Sequence, residues 1–342
     1  YGRISTETFS YKVDTEKPSM TITSVNASEA VYIGTTLSTL KSFAGTATDG
    51  TSTNSSGVAK VQYSIDGTTW TDAIGTTQWN ANIDFAKVET NNATVQFKAL
   101  DNAGNESTKQ SVNIILDKNV PVLENLGVQG ETTDTDGISY LQSNSEKIIG
   151  QITEEYIESI TIDGTKVTPD ANGNFSGTKS INEGSNTCKI VATDKAGQIT
   201  EKTISLYYDK TVPNAEITSV SPLVTANGKE NNVNGTITLQ GTASDDDKVA
   251  STVVTIATSD AENGTYTDNT SVEGALTVNS NDGMRYNYSI DTTKLSDNKF
   301  LKINVTTTDR SGNIGTDEEI VYIDQSTDLP TISFSNVNMT GD

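Results

Sequence analysis

The stretch Asp101-Asn102-Ala103-Gly104-Asn105 reveals how this chain is organised, because closely similar stretches return twice. Asp194-Lys195-Ala196-Gly197-Gln198 and Asp309-Arg310-Ser311-Gly312-Asn313 keep the leading aspartate and the glycine. Each stretch is followed, at nearly constant spacing, by a run of alternating residues that ends in an aspartate, and a similar run lies at the start of the chain. We call these four residues the boundary aspartates: Asp14, Asp117, Asp209 and Asp324. Repetition at this period predicts an array of similar modules.

The boundary aspartates divide the 342 residues into three complete modules and two incomplete ends. We predict modules at residues 15–117, 118–209 and 210–324, the last with a longer middle region. Residues 1–14 are predicted to end a preceding module and residues 325–342 to begin a following one, so the chain is expected to be a piece of a longer array. Modules of about 100 residues have the usual size of a domain and can bury a core without disulfides.

A second marker repeats with the same period. A glycine follows each boundary aspartate at similar spacing, at Gly45, Gly150 and Gly241, and an acid lies four residues after each glycine: Asp49, Glu154 and Asp245. The distance from this glycine to the next repeated stretch varies, so the frame is constant and the middle loops absorb insertions. In the third module the extra residues, 258–281, are predicted to form an extended hairpin or a long loop.

Strand patterns dominate the chain. Residues 58–65 alternate with a period of two before the turn residues Asp66-Gly67, and residues 160–167 repeat this hairpin pattern. No sustained helical periodicity with caps is present. Frequent turn residues between short alternating runs predict an all-β fold, with about seven antiparallel strands in two sheets per module.

These motifs resemble the bacterial immunoglobulin-like repeats of large surface proteins and adhesins. The resemblance rests on the Asp-x-Ala-Gly-Asn stretch, the strand and boundary aspartate that follow it, and a hairpin at Tyr63–Trp70. The chain departs from the pattern at Gln198 and in the longer step from Asp324 to Pro330. The resemblance implies tandem immunoglobulin-like β-sandwiches in an elongated extracellular array, at the bacterial cell surface or secreted. Such arrays hold a binding tip away from the cell or take part in adhesion, and some are stiffened by calcium.

Charge and composition exclude several functions. The formal net charge of −22 argues against nucleic-acid binding, and no apolar run is long enough for direct membrane insertion. Without histidine, neither a Ser-His-Asp nor a Cys-His catalytic device can be built, so we expect no enzyme activity. The one cysteine, Cys188, aligns with apolar strand positions, which predicts a buried hydrophobic role.

The repeated acids are candidate calcium ligands, because calcium takes six to eight oxygen ligands. In a sandwich, the loops after the second and the sixth strand share one end. The candidates are Asp14, Asp49, Asp101, Asp117, Glu154, Asp194, Asp209, Asp245, Asp309 and Asp324. The alternative is that these acids are purely structural, since aspartate side chains bind nearby backbone N–H groups in turns.

The sequence also offers a candidate contact for partners other than the neighbouring modules. Tyr266, in the longer middle of the third module, is a candidate contact for a glycan or a host or cell-surface protein, whereas Trp79 and Tyr288 alternate with apolar residues and are predicted to lie in the core. The leading hypothesis is therefore a non-catalytic stalk or spacer of an adhesin. The alternatives are a glycan- or host-protein-binding module, and accessory domains of a polysaccharide-degrading enzyme.

Overall fold

The computed structural model describes residues 3–226, 228–271, 275–278 and 284–326. Within these ranges the chain is built from β-strands, with a single three-residue 3₁₀ helix at Thr292–Lys294. No helix among the described residues is long and apolar enough to cross a membrane. The prediction of an all-β fold of tandem immunoglobulin-like β-sandwiches is confirmed.

The chain forms two compact units. One contains the residues up to Leu126 together with Ile149–Gly177 and Lys189–Thr203; the other contains Gly127–Ile148, Thr178–Cys188 and the described residues from Ile204 onward. The predicted module boundaries at residues 117, 209 and 324 stay a prediction.

Nine strands form the first pair of sheets: β1 (Ser19–Ile22), β2 (Val31–Gly34), β3 (Leu40–Thr48), β4 (Val58–Ser64), β5 (Thr71–Asp72), β6 (Ile74–Gly75), β7 (Gln78–Asp84), β8 (Asn92–Asp101) and β9 (Gln110–Asp117). The sheet orders are β1-β3-β7-β6 and β2-β9-β8-β4-β5. Strand β2 runs parallel to β9, and the predicted hairpin at residues 58–65 is confirmed by the antiparallel pairing of β4 with β5.

The next eight strands are β10 (Val122–Val128), β11 (Ile138–Leu141), β12 (Ser145–Thr153), β13 (Ile157–Ile162), β14 (Thr165–Val167), β15 (Asn174–Ser180), β16 (Gly184–Asp194) and β17 (Ile199–Tyr208). Their sheet orders are β10-β12-β15 and β11-β17-β16-β13-β14, and β11 runs parallel to β17 as β2 does to β9. The predicted second hairpin is β13–β14. Cys188 is fully buried, as its strand position predicts.

The last ten strands are β18 (Asn214–Ser221), β19 (Val224–Ala226), β20 (Lys229–Val233), β21 (Thr236–Ser244), β22 (Val249–Ser259), β23 (Thr267–Ser271), β24 (Ala275–Val278), β25 (Met284–Asp291), β26 (Lys299–Asp309) and β27 (Ile314–Ile323). They form sheets of order β18-β21-β25-β24 and β19-β20-β27-β26-β22-β23. The extra middle residues supply β23 and β24, which pair with β22 and β25 at the edges of different sheets. They therefore extend both sheets; residues 272–274 and 279–283 of this region lie outside the described residues.

Each repeated glycine makes room for a large aromatic side chain on the neighbouring strand. A Cβ on Gly45 would come within 2.5 Å of the Trp79 ring, one on Gly150 within 2.5 Å of Phe175, and one on Gly241 within 2.0 Å of Tyr286. Trp79 is 2% exposed, and Tyr288 is 4% exposed, so the prediction that both lie in the core is confirmed. The repeated glycine is therefore required by the packing of the core.

Candidate calcium sites

The repeated Asp-x-x-Gly stretch is a turn that satisfies its own aspartate. Asp101 Oδ1 accepts hydrogen bonds from the backbone N–H groups of Ala103 (2.9 Å) and Asn105 (2.8 Å), and Oδ2 accepts one from Asn105 Nδ2 (2.7 Å). The backbone N–H and the side-chain amide of Gln198 bind Asp194 in the same way, and those of Asn313 bind Asp309. Gly104 has a φ of +92°, which favours glycine at that position.

A further copy of this turn lies on an exposed loop away from the repeat. Asp170 Oδ1 accepts from the backbone N–H groups of Asn172 (2.8 Å) and Asn174 (2.9 Å), and Oδ2 accepts from Asn174 Nδ2 (3.2 Å). These bonds lower the pKa of Asp170, with the Asn174 N–H as the largest cause. Since the turn also forms here, the structural explanation suffices for the hydrogen bonds of Asp101, Asp194 and Asp309.

The amide at the end of each repeated turn also binds the backbone near a boundary aspartate. Asn105 Nδ2 donates to the carbonyl oxygen of Asp14 (3.1 Å), and Asn313 Nδ2 donates to that of Asp209 (3.0 Å). Gln198 differs: its longer side chain donates to the carbonyl oxygen of Asn119, two residues beyond Asp117. The departure at Gln198 therefore preserves the contact and moves its acceptor.

Most of the predicted acids lie together in three groups. In each group, one ligand oxygen from every member lies within 4.8 Å of the others. The first acidic group is Asp14, Asp49 and Asp101; the second is Asp117, Glu154 and Asp194; the third is Asp209, Asp245 and Asp246. Eight of the ten candidates thus lie in these groups, and Asp246 is a member that sequence reasoning missed, although it continues the visible acidic run Asp245–Asp247.

Two candidates are placed differently. Asp309 is not in the third group; its carboxylate is held by Asn313, and the whole side chain is 2% exposed. Asp324 Oδ1 accepts hydrogen bonds from the backbone N–H (3.0 Å) and the hydroxyl (2.5 Å) of Ser326. The predicted following module falls largely on residues 327–342, which lie outside the described residues.

Some carboxylate oxygens in these groups are buried without a hydrogen-bond partner among the described residues. Asp49 is 7% exposed: Oδ2 accepts from the Gly57 N–H (2.6 Å), while Oδ1 has no partner. Asp117 is 4% exposed: Oδ1 accepts from the Asn119 N–H (3.1 Å), while Oδ2 has no partner. Asp245 Oδ2 is unpartnered as well. A buried, unsatisfied carboxylate oxygen is costly, and a cation would satisfy it.

The electrostatics of the second and third groups would favour a bound cation. Burial raises the pKa of Asp117, and the nearby charges of Asp194 and Glu155 raise it further. Burial likewise raises the pKa of Glu154 and of Asp245, with neighbouring carboxylates adding to the effect in both cases. Carboxylates that are gathered and partly desolvated resist ionisation, so a bound cation would stabilise the ionised form.

The donor set of these groups fits calcium. All the side-chain donors are carboxylate oxygens, and hard oxygen ligands select calcium or magnesium over softer transition metals. Asp117 and Glu154 also line a cleft of about 950 Å³, together with Asn119, Tyr156 and Asp170. Such a cleft leaves room for the water ligands that complete a calcium shell.

Tyr266, the candidate contact residue, makes interactions within its own sandwich. Its hydroxyl donates to the carbonyl oxygen of Glu262 (2.8 Å), and Lys302 Nζ lies 4.9 Å from the centre of its ring. The side chain is half-buried. Its role in contacting a glycan or protein stays a prediction.

Comparison with known proteins adds the following findings. The family described as glucodextranase, domain B, matches residues 131–209. None of the curated protein sequences matches the chain. Similar solved structures include the fibronectin(III)-like modules of Clostridium thermocellum CbhA, with 18% identity over 56% of this chain and 94% of that chain and a TM-score of 0.38.

Two further solved structures come from adhesins. A 1.5-MDa bacterial ice-binding adhesin is 18% identical over 91% of this chain and 99% of that one, with a TM-score of 0.35. A Ca²⁺-stabilised adhesin of an Antarctic bacterium is 19% identical over 89% of this chain and 74% of that one, with a TM-score of 0.36. At this identity the likenesses concern the fold alone. The resemblance to bacterial immunoglobulin-like repeats is confirmed at that level.

Proposed function

We propose that this chain is a non-catalytic spacer segment of a bacterial surface or secreted repeat protein, and that calcium binds at its acidic groups and stiffens the module junctions. The observation that carries the proposal is the pair of buried, unpartnered oxygens, Asp49 Oδ1 and Asp117 Oδ2, each within an acidic group. The turns alone explain the loop aspartates, but they leave these two oxygens unexplained.

The proposed calcium ligands come from three parts of the chain. In the second acidic group, Asp117 ends β9, Glu154 directly follows β12, and Asp194 ends β16. A bound calcium ion supplies the double positive charge that neutralises these carboxylates. Because the boundary aspartate belongs to the chain between two predicted modules, its ligation would restrain the angle between them.

The energetic effect of calcium should be moderate. Extracellular modules usually bind calcium with dissociation constants of about 0.1–1 mM, and a tenfold excess over such a constant stabilises the bound state by about 1.4 kcal/mol per site. A domain is stable by about 5–15 kcal/mol. Calcium is therefore expected to set the geometry of the junction more than the folding of each sandwich.

Equilibrium dialysis of the full chain against labelled calcium, at fixed ionic strength, tests this proposal. We expect saturable binding at the first and second acidic groups, and we expect Asp117→Asn to bind one ion fewer than the unsubstituted chain. Asp66→Asn is the matched control, since Asp66 also accepts backbone N–H groups in a turn but lies outside the three acidic groups and the cleft, and it should bind as many ions as the unsubstituted chain. Unchanged binding by Asp117→Asn would contradict the assignment.

A second candidate function is that of an accessory domain in a polysaccharide-degrading enzyme. The match of residues 131–209 to the family described as glucodextranase, domain B, favours it. Affinity electrophoresis in gels containing an α-glucan tests this alternative directly. Retardation of the full chain would support it, and unchanged mobility at saturating glucan would favour the spacer function.

A further inference from the structure

Arg310 contacts a tyrosine and two aspartates that belong to a different pair of sheets. Its guanidinium carbon lies 5.0 Å from the centre of the Tyr140 ring, and Nη1 donates to Asp136 Oδ2 (2.9 Å) and to the Tyr140 hydroxyl. The Tyr140 hydroxyl in turn donates to Asp136 Oδ2 (2.8 Å), and Arg310 Nε lies 3.9 Å from Asp134 Oδ2. This closed set of contacts, the Arg310 cluster, consists of Asp134, Asp136, Tyr140 and Arg310.

The Arg310 cluster joins the repeated turn of the last pair of sheets to a strand of the middle pair. Arg310 directly follows Asp309, and its backbone N–H donates to the carbonyl oxygen of Lys248 (3.3 Å), which fixes the turn to its own sandwich. Tyr140 lies on β11, where its register partner is Tyr207. The two tyrosine rings are 5.6 Å apart, so Tyr140 is supported from its own sheet.

An equivalent contact occurs at the preceding repeat. Lys195 directly follows Asp194, and its Nζ lies 5.2 Å from the centre of the Tyr32 ring on β2. The two tyrosines occupy equivalent positions in their sheets. Tyr32 pairs with Ile115, two residues before Asp117, and Tyr140 pairs with Tyr207, two residues before Asp209. The backbone N–H of Lys195 also donates to its own sandwich, at the carbonyl oxygen of Tyr156 (2.8 Å).

The corresponding positions at the two ends of the chain carry other residues. In the first repeated turn, Asn102 stands where Lys195 and Arg310 stand in the others. On β20, Asn232 pairs with Tyr322, two residues before Asp324, and so occupies the position of Tyr32 and Tyr140. A basic residue and a tyrosine therefore face each other at the two inner repeats, and neither residue type is presented at the outer positions.

We propose that the Arg310 cluster is a docking surface that holds successive modules together without calcium, and that Lys195 on Tyr32 is its weaker counterpart. The partner that fits this surface is a module that carries arginine or lysine directly after its turn aspartate. Arginine is the stronger of the two because its planar guanidinium stacks on the ring while it donates hydrogen bonds to a carboxylate. This inference does not depend on calcium binding.

Distance measurements between spin labels test the docking surface on the full chain. The labels are attached at Ser143→Cys and Thr218→Cys, two exposed positions, in a Cys188→Val background and in the presence of chelator. We expect a narrow distance distribution for the otherwise unsubstituted chain. Arg310→Gln should lower the ratio of docked to undocked molecules about tenfold, the size expected when a cation–π contact and a charge-assisted hydrogen bond are lost together.

Lys302→Gln provides the matched control. Lys302 makes the same two kinds of contact, an ion pair with Glu318 (2.9 Å) and a position over the Tyr266 ring (4.9 Å), but with partners of its own sandwich. Its substitution should leave the distribution unchanged. Asp136→Asn should broaden the distribution as Arg310→Gln does, and the double variant should add little to either, since both remove the same contact. Distributions for Arg310→Gln and Asp136→Asn that match the control would overturn the proposal.

Addition of calcium to the same samples separates this proposal from the calcium proposal. If calcium narrows the distribution of Arg310→Gln, the acidic groups act independently of the Arg310 cluster and both proposals hold. If calcium leaves the broadened distribution of Arg310→Gln unchanged, the docking surface holds and the proposal that calcium stiffens this junction through the third acidic group fails.

Discussion

The second and third acidic groups both contain carboxyl groups whose pKa is raised by burial, and they differ in the charged residues nearby. In the second group, burial raises the pKa of Asp117 and Glu154, and the neighbouring charges that contribute come from other carboxylates. Beside the third group, burial raises the pKa of Asp247, but the charges of Arg310 and Lys248 act in the opposite direction. Within the third group itself, the charges that raise the pKa of Asp245 come from carboxylates, as in the second group. The difference is that two basic residues act on Asp247 beside the third group. The second group should depend more on calcium.

The largest expected effect that follows from this comparison is on the calcium response of the second group. In chelator, Asp117→Asn should unfold at the same or a higher urea concentration than the unsubstituted chain, because it removes a buried charge of which one oxygen, Oδ2, has no hydrogen-bond partner among the described residues. In a tenfold excess of calcium, the unsubstituted chain should gain about 1.4 kcal/mol at this site, and the variant should not. Urea titrations of the calcium-sensitive transition measure the difference. A variant that keeps the full response would show that Asp117 is not a ligand.

The pH dependence of stability gives the next largest effect. Since the pKa of Asp117 is raised in the folded chain, the folded state binds more protons than the unfolded state between about pH 3.9, the ordinary aspartate pKa, and the raised value. The contribution of Asp117 to stability is therefore lost as pH rises through this window. In chelator, the unsubstituted chain should become less stable relative to Asp117→Asn on going from pH 4 toward neutrality.

Many other carboxylates titrate in the same range, so the informative quantity is the difference between the two proteins. Calcium should reverse the sign of this difference in stability at neutral pH, because the ion favours the ionised carboxylate of the unsubstituted chain. Parallel stability curves for the two proteins, measured in chelator, would contradict a raised pKa of Asp117 in the folded chain.

The smallest expected effect concerns the third group. Arg310→Gln removes a positive charge that acts on Asp247 beside the third group, so calcium should bind to the third group more tightly, by about threefold, in keeping with the modest energies of partly exposed charge pairs. Lys195→Gln should change calcium binding at the second group less, since Lys195 is not among the charges that shift the pKa of Asp117 or Glu154. Calcium titrations of the two variants provide the measurement. If the two substitutions changed calcium affinity equally, nearby basic residues would not distinguish the second group from the third.

Much of the fold could be predicted from sequence, for identifiable physical reasons. The alternation of residues 58–65 and the turn at Asp66-Gly67 fix a hairpin locally, and Asp66 Oδ1 accepts from the backbone N–H groups of Thr68 (2.8 Å) and Thr69 (2.6 Å). Val95, Phe97 and Ala99 are fully buried because a strand with a period of two has one face toward the core. Features that depend on local periodicity were therefore accessible.

Features that depend on contacts distant in sequence were less accessible. The repeat spacing identified Gly45, but the contact that requires it is with Trp79 on another strand. The acids Asp14, Asp49 and Asp101 could be named as candidates, yet their approach depends on the turn at Asn105 binding the carbonyl oxygen of Asp14. The Arg310 cluster was missed because its residues are ordinary surface types, separated by some 170 positions.

Small-angle scattering of the full chain with excess calcium and with chelator, at fixed ionic strength, tests the central claim most directly. Holding ionic strength constant keeps the general screening of the −22 net charge the same. If the buried acids of the second group bind calcium, the maximum dimension should rise and the distance distribution sharpen with calcium, and Asp117→Asn should show a smaller change. Superimposable curves with and without calcium would contradict the claim and leave the acids as turn residues.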